Sequence, residues 1–255
     1  MRPGDTPGDA QKDTAMTTTA APDEIAKFDA LAAEWWDPKG PMSPLHAMNP
    51  LRCDWIAGQL ARAHGRDPAA LGGLSLLDVG CGAGLASEGM ARRGAKVTGL
   101  DAAPAALAVA RAHADQSGLS IDYRQGMPED LAAEGARFDA VMALEVIEHV
   151  TDRPAFLRAL STLVAPGGMV FLSTLNRTAR SFLFAKVGAE YVLRLLPRGT
   201  HDWKMFVTPA ELGAEARAAG LRATAISGMT PGLPGHPWRA TQDVGVNYIV
   251  ALRRG

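Results

Sequence analysis

Apolar positions along this chain fall into two alternating rhythms. Ile25, Phe28, Leu31 and Trp35 recur at three- to four-residue spacing behind Asp23, a natural N-cap, and predict a helix. A second helix is expected from Asn49 as cap, with Pro50 in its first turn, to about Gly65. Short apolar runs then alternate with helical stretches. Strands are expected at Ser75–Val79, Lys96–Leu100, Ile121–Arg124, Phe138–Ala143 and Met169–Thr174. Helices are expected at Leu85–Arg93, Pro104–Gln116 and Pro154–Val164, and Pro166-Gly167-Gly168 reads as the turn into the fifth strand. Thr208-Pro209-Ala210-Glu211 has the form of a capping box, opening a helix that stops at Gly220. Two last strands are expected near Leu221–Ser227 and Val244–Leu252. This alternation predicts an α/β fold, a seven-stranded and mostly parallel sheet with helices on both faces.

Composition narrows the function. The chain has 255 residues, 47% of them hydrophobic, enough for one large domain with its own core. Its 26 basic and 27 acidic residues leave a formal net charge of −1, so no electrostatic nucleic-acid partner is expected. Cys53 and Cys81 make neither a disulfide framework nor a CxxC zinc pattern, which fits a reducing compartment. No apolar run approaches the roughly 20 residues that span a bilayer. Residues 1–22 contain no Leu, Ile, Val or aromatic side chain and are expected to be a disordered tail. They lack the apolar stretch of a secretory signal, and Asp5, Asp9 and Asp13 argue against a mitochondrial presequence.

The chemistry concentrates after the first strand. Leu76-Leu77-Asp78-Val79-Gly80-Cys81-Gly82-Ala83-Gly84 places three glycines between a strand and a helix, where a backbone can approach a ligand closely. A dinucleotide fingerprint requires GxGxxG or GxGxxA. Counted from Gly80 the third position is Leu85, and counted from Gly82 it is Ser87, so an NAD-linked oxidoreductase is disfavoured. A GK[ST] phosphate loop is also absent. The GxGxG form behind Asp78, with Asp101 closing the second strand, resembles motif I of class I S-adenosylmethionine methyltransferases, which have a Rossmann-like fold. Asp101 stands where a carboxylate accepts both ribose hydroxyls, and Asp78 and Gly82 join it as candidate cofactor-binding residues. A glycine-rich turn of purely structural use, or a non-enzymatic cofactor scaffold, is the bland alternative.

The flanking blocks are more specific. The fourth strand ends Ala143-Leu144-Glu145, without the NPPY-like motif of many amino-group methyltransferases, which favours O- or C-methylation of a small molecule. Ala32-Ala33-Glu34-Trp35-Trp36-Asp37 and Pro44-Leu45-His46-Ala47-Met48-Asn49-Pro50-Leu51-Arg52 resemble the ubiquinone-biosynthesis O-methyltransferase family. So do Ser173-Thr174-Leu175-Asn176-Arg177, Val187-Gly188-Ala189-Glu190-Tyr191, Gly199-Thr200-His201-Asp202-Trp203 and Val246-Asn247-Tyr248. The resemblance spans about residues 23 to 252, although Met229–Asp243 departs from the family pattern. It implies methylation of polyprenyl-hydroxyphenol and demethylubiquinol substrates at two pathway steps, with S-adenosylmethionine as cofactor. It also implies cofactor contacts at Gly80, Asp101, Leu144 and Arg52, the last suited to the methionine carboxylate. Another class I enzyme acting on a different phenol or catechol is the nearest rival.

Glu145, Glu148 and His149 stand at i, i+3 and i+4, which on one helical turn share a face. Two carboxylates favour a hard cation such as Mg2+, the imidazole less so. The resemblance implies a metal at these three positions. A metal-free general base, His149, and a purely structural role stay open beside it.

The expected organisation is a tail over 1–22 and a methyltransferase domain over 23–255. The domain divides into N-terminal helices (23–72), a cofactor-binding core (73–176), an insertion (177–207) and a C-terminal helix with strands (208–255). Within the insertion Phe184, Val187, Tyr191 and Leu195 form a helical stripe, rimmed by Arg177, Arg180, Lys186, Arg194 and Arg198 against Glu190 alone. That pattern suits a helix lying on an anionic bilayer, the alternative being a lid packed on the domain. The expected setting is cytoplasmic and peripheral to the inner face of the cell membrane, with other ubiquinone-biosynthesis proteins as candidate partners.

Overall fold

The structure, a computed structural model, describes residues 26, 32–40, 42–182, 205–232 and 236–255. Of the helix expected behind Asp23, Ala26 is helical and Ala32–Glu34 forms a short 3-10 turn; the rest lies outside the described residues, as does the 1–22 tail.

The first long helix, α1 (Ser43–His64), starts earlier than the pattern implied. Pro44 occupies its first turn, where a missing N–H costs nothing, and Pro50 is accommodated inside. Asn49 is therefore no cap: its amide donates to the carbonyl of Leu85 at 2.9 Å. The helix ends where expected, at Gly65 in the left-handed conformation. Met48, Arg52, Ile56 and Leu60 lie on its buried face, and the apolar ones pack against one side of the sheet.

The sheet is built from β1 (Ser75–Val79), β2 (Lys96–Asp101), β3 (Asp122–Gln125), β4 (Phe138–Leu144), β5 (Val164–Leu175), β6 (Leu221–Thr230), β7 (Arg239–Thr241) and β8 (Asn247–Arg254). Their order is β3-β2-β1-β4-β5-β8-β6-β7. The first five strands run parallel, and β8 is antiparallel to both β5 and β6. The described sheet thus has eight strands rather than seven. The added strand, β7, is three largely exposed residues with no apolar alternation to announce it. Pro166-Gly167-Gly168 is part of β5 rather than a turn before it, beside a register shift against β4.

Between the strands run α2 (Leu85–Ala91), α3 (Pro104–Gln116), α4 (Pro128–Ala133), α5 (Arg153–Leu163) and α6 (Pro209–Ala218). The short α4 holds too few residues to show a period. The capping box at Thr208 is formed: its hydroxyl accepts from the Glu211 N–H at 3.2 Å, and its own N–H donates to Glu211 at 3.0 Å. One apolar layer packs Leu77, Val141, Val170 and Val250 against α5 and α6, and the opposite layer packs Leu76, Met142, Phe171 and Ile249 against α1. Strand order reverses between β1 and β4, so a crevice opens beyond their carboxyl ends.

Tyr248 on β8 is fully buried, and its hydroxyl donates to the Val207 carbonyl at 3.0 Å. Tyr248→Phe should lower unfolding stability by about 1–3 kcal/mol, the cost of leaving a buried acceptor unpaired. Urea titration checks this; an unchanged midpoint would mean the carbonyl finds another donor.

Candidate active site

The glycine loop follows directly from β1. Gly80 and Gly82 have φ of +69° and +52°, a region that side-chain-bearing residues rarely adopt. A Cβ on Gly80 would also stand 2.5 Å from a methyl of Val146. The loop hangs from the end of β2: the N–H groups of Gly80 and Cys81 donate to the Leu100 carbonyl at 2.8 and 3.1 Å. Asp101 then grips it from the side, accepting from the Gly82 N–H at 2.7 Å and the Ala103 N–H at 2.8 Å. A carboxylate has about four acceptor sites, and these two bonds take two of them.

Asp78 lies beneath the loop, buried, and accepts the Ser87 hydroxyl at 2.6 Å. Burial pushes its carboxyl up to about 7, against the pull of the Ser87 bond and the Arg52 charge. It is thus a support of the loop, shielded from solvent. Arg52 reaches the same region from α1, itself 3% exposed. Its Nη1 is 4.0 Å from Glu145 Oε1, and its buried Nε has no partner among the described residues. Leu144, half-buried at the end of β4, packs on the layer beneath α1.

Glu145 is the one non-glycine described residue with positive φ, +58°. Such strain persists only where the surroundings fix it. Here its N–H donates to the Ser173 carbonyl at 3.0 Å, and its carboxylate accepts the Ser173 hydroxyl at 2.7 Å. Glu148 sits on a 3-10 turn, Ile147–His149, and is buried; Thr174 donates to it at 2.9 Å. Burial, then the charge of Glu145, hold the Glu148 carboxyl well above the usual carboxylate range. His149 closes the turn, half-buried.

The structure thus brings Glu145 and Glu148 together, with Arg52 beside Glu145. It does not form the expected metal trio. Among the described residues no three His, Cys, Asp or Glu side chains are gathered so that they could hold an ion. The reason is backbone geometry: the left-handed Glu145 and the 3-10 turn after it abolish the α-helical i, i+3, i+4 face. Ser173 and Thr174, which hold the two carboxylates, were visible only as part of a family block. Their role depends on β4–β5 pairing, Leu144 opposite Ser173, which no local pattern reveals.

Only the root of the insertion is described. Arg177 pairs with Glu211, and Arg180 with Asp243 at 3.0 Å. Phe182 and Met205, at its two described ends, are 45% and 40% exposed. The stripe from Phe184 to Leu195, and the blocks at Val187–Tyr191 and Gly199–Trp203, lie outside the described residues. No described helix is long and apolar enough to cross a membrane.

A family model described as a methyltransferase domain matches residues 77–172. The ubiquinone biosynthesis O-methyltransferase of Azorhizobium caulinodans is 52% identical over 240 residues, 92% of this chain and 95% of the relative. Those of Cereibacter sphaeroides and Methylobacterium nodulans are 52% and 50% identical, covering 93% and 94% of this chain and 98% and 99% of their own. The chain belongs to the ubiquinone biosynthesis O-methyltransferase family. Among solved structures, magnesium protoporphyrin IX methyltransferase from Synechocystis is similar in fold alone. With S-adenosylmethionine bound it gives a TM-score of 0.62 at 18% identity, covering 94% of this chain and all of that one (100%). With S-adenosylhomocysteine bound it gives 0.58 at 22% identity, covering 81% and 83%. This member of the ubiquinone biosynthesis O-methyltransferase family is thus a class I, S-adenosylmethionine-dependent methyltransferase with the Rossmann-like architecture its glycine loop implied.

The raised Asp78 carboxyl has a consequence for stability. Its folded value, about 7, exceeds the ordinary value of 3.8, so the folded state holds this proton more tightly than the unfolded one. Its contribution to stability therefore falls as pH rises from about 4 to about 7 and is flat beyond. Asp78→Asn should flatten that stretch of the stability–pH curve, while Glu148 continues to act in the same direction. Urea midpoints at about pH 5 and about pH 7.5 check this; an unchanged difference would show that Asp78 ionises as it does in the unfolded chain.

Proposed function

We propose that this enzyme methylates phenolic or catechol hydroxyls of polyprenylated ubiquinone precursors at two O-methylation steps. The observation that carries the reading is a cofactor cradle with a free donor at its edge: the Asp101–Gly82 clamp together with the buried, unpartnered Nε of Arg52. S-adenosylmethionine, which carries a ribose and a carboxylate, fits those groups. Asp101 would accept the ribose hydroxyls, and Arg52 would take the methionine carboxylate by a charge-assisted bond. Gly80, Gly82 and Leu144 would form the surface against which the cofactor packs, with Asp78 beneath it. When bound, the cofactor supplies a methyl group already activated on a sulfonium.

The protein must then position and deprotonate the acceptor. Taking Tyr as a guide, reaching a phenolate at neutral pH costs about 4 kcal/mol. His149, half-buried at the end of the turn that Glu148 sits on, is the candidate general base that would take the hydroxyl proton. Glu145, anchored by Ser173, would orient the acceptor, and Glu148, anchored by Thr174, would hold the turn that presents His149. Since the trio does not assemble as a metal site, no step is assigned to Mg2+. Holding hydroxyl oxygen, methyl carbon and sulfur in line adds the effect of proximity.

Contact with a membrane surface belongs to the same proposal. A long polyprenyl tail resides in lipid, and the insertion carries a basic-rimmed apolar sequence between the exposed Phe182 and Met205.

Methyl transfer to a short-chain demethylubiquinol, measured beside a caffeate-type catechol, tests the substrate class. Turnover of the quinol well above the catechol is expected; the reverse would move the enzyme to the other phenol class. Asp101→Ala should weaken S-adenosylmethionine binding by at least about tenfold, through loss of hydrogen bonds to a charged acceptor. Calorimetry showing unchanged affinity would remove the ribose assignment.

A further inference from the structure

The two tryptophans after the Ala32–Glu34 turn lie across the glycine loop, apart from both main apolar layers. Trp35 is buried, and its ring fills the space a Cβ on Gly82 would need. Trp36 reaches one residue further: its indole N–H donates to the Ala83 carbonyl at 2.9 Å. Three helices then grip this pair. His113 of α3 stacks face to face on Trp36, with ring centroids 3.4 Å apart and planes 5° from parallel. His46 of α1 meets Trp36 edge-on at 5.7 Å, and its Nε2 is 2.8 Å from the Trp35 carbonyl. On α2, the helix that the glycine loop opens, buried Glu88 fixes the His113 ring through Nδ1 at 2.5 Å and is itself paired with Arg92 at 2.9 Å.

A tryptophan serving only the core would be spent on the sheet. These two are spent on Gly82 and Ala83, the stretch of backbone that Asp101 also clamps. An indole offers a large rigid surface at small conformational cost, which suits it to wall a ligand. We propose that Trp35 is a further cofactor-contacting residue, and that Trp36 and His113 are positioning residues that hold it and the loop in the binding geometry. The inference rests on the cofactor reading above and adds a second element to it. This strap meets the loop at Gly82 and Ala83, while Asp101 meets it at Gly82 from the end of β2.

The test uses the full chain with S-adenosylhomocysteine as probe. Calorimetry on Trp36→Phe, which keeps an aromatic stack but loses the bond to Ala83, should show affinity weakened by about fivefold, the worth of one net hydrogen bond. His113→Leu should act in the same sense, and His113→Phe, which restores the stack, should recover most of the loss. The KM for S-adenosylmethionine should rise while the KM for the quinol acceptor stays put. Cofactor-linked change in tryptophan fluorescence should diminish in Trp35→Phe. Asp101→Ala serves as the control. If it lowers affinity while Trp36→Phe and His113→Leu do not, the strap proposal is overturned and the cofactor reading stands. If Asp101→Ala leaves binding intact, the cofactor reading fails and the strap falls with it. Equal rises in both KM values would reduce the tryptophans to packing.

Discussion

A buried guanidinium is the constraint on which the site depends. Arg52 is almost wholly inside the protein, and a guanidinium does not lose its charge to escape desolvation. It must therefore be surrounded by negative charge. Glu145 stands 4.0 Å away, and the Arg52 charge also acts on Asp78. Neither satisfies the buried Nε. Among the described residues this leaves the Arg52 Nε without a partner at the carboxyl edge of a sheet whose topology already opens a crevice there. The placement is owed to α1, whose apolar residues press on the sheet and carry Arg52 across to the strand ends.

The same charge accounts for the strain next to it. Glu145 takes a left-handed backbone that costs on the order of 1–3 kcal/mol. Two bonds from Ser173 hold it there and turn its carboxylate towards Arg52. Glu148, three residues on, is buried close to that carboxylate and resists ionising. Burial and the neighbouring Glu145 thus hold the Glu148 carboxyl towards its neutral form, so two chemically identical groups three residues apart stand in different environments.

What was legible in the sequence follows from how local each determinant is. The βα alternation, the glycine loop with Asp101, the Gly65 stop and the Thr208 capping box are settled within a few residues, and each is found as read. The start of α1 was misjudged because Asn49-Pro50 imitates a helix entry, whereas Pro44 performs that task one and a half turns earlier. The carboxylate–His trio is not gathered among the described residues, because Glu145 has positive φ and a 3-10 turn follows it. Ser173 and Thr174 acquire their partners only through strand pairing some 28 and 26 residues distant in the chain. The glycine loop is therefore written locally, whereas the contacts that surround it, from Trp36 to Ala83 and from Ser173 to Glu145, are long-range.

That division extends to the borders of the site. The glycine loop is bordered by Trp35 and Trp36 on one flank and by the end of β2 on another. The carboxylate pair is bordered by elements that meet only on folding. Asn176 donates to the Val244 carbonyl at 2.9 Å, and Thr178 to the Gly245 carbonyl at 2.6 Å. Arg180 pairs with Asp243 in the same clasp. These bonds fasten the root of the insertion to the connection between β7 and β8, and that root leaves β5 directly after the residues that hold Glu145 and Glu148. The clasp therefore sits on the β5 side of the sheet and the Asp101 clamp on the β2 side, with β1 and β4 between them, so the two fastenings draw on different strands.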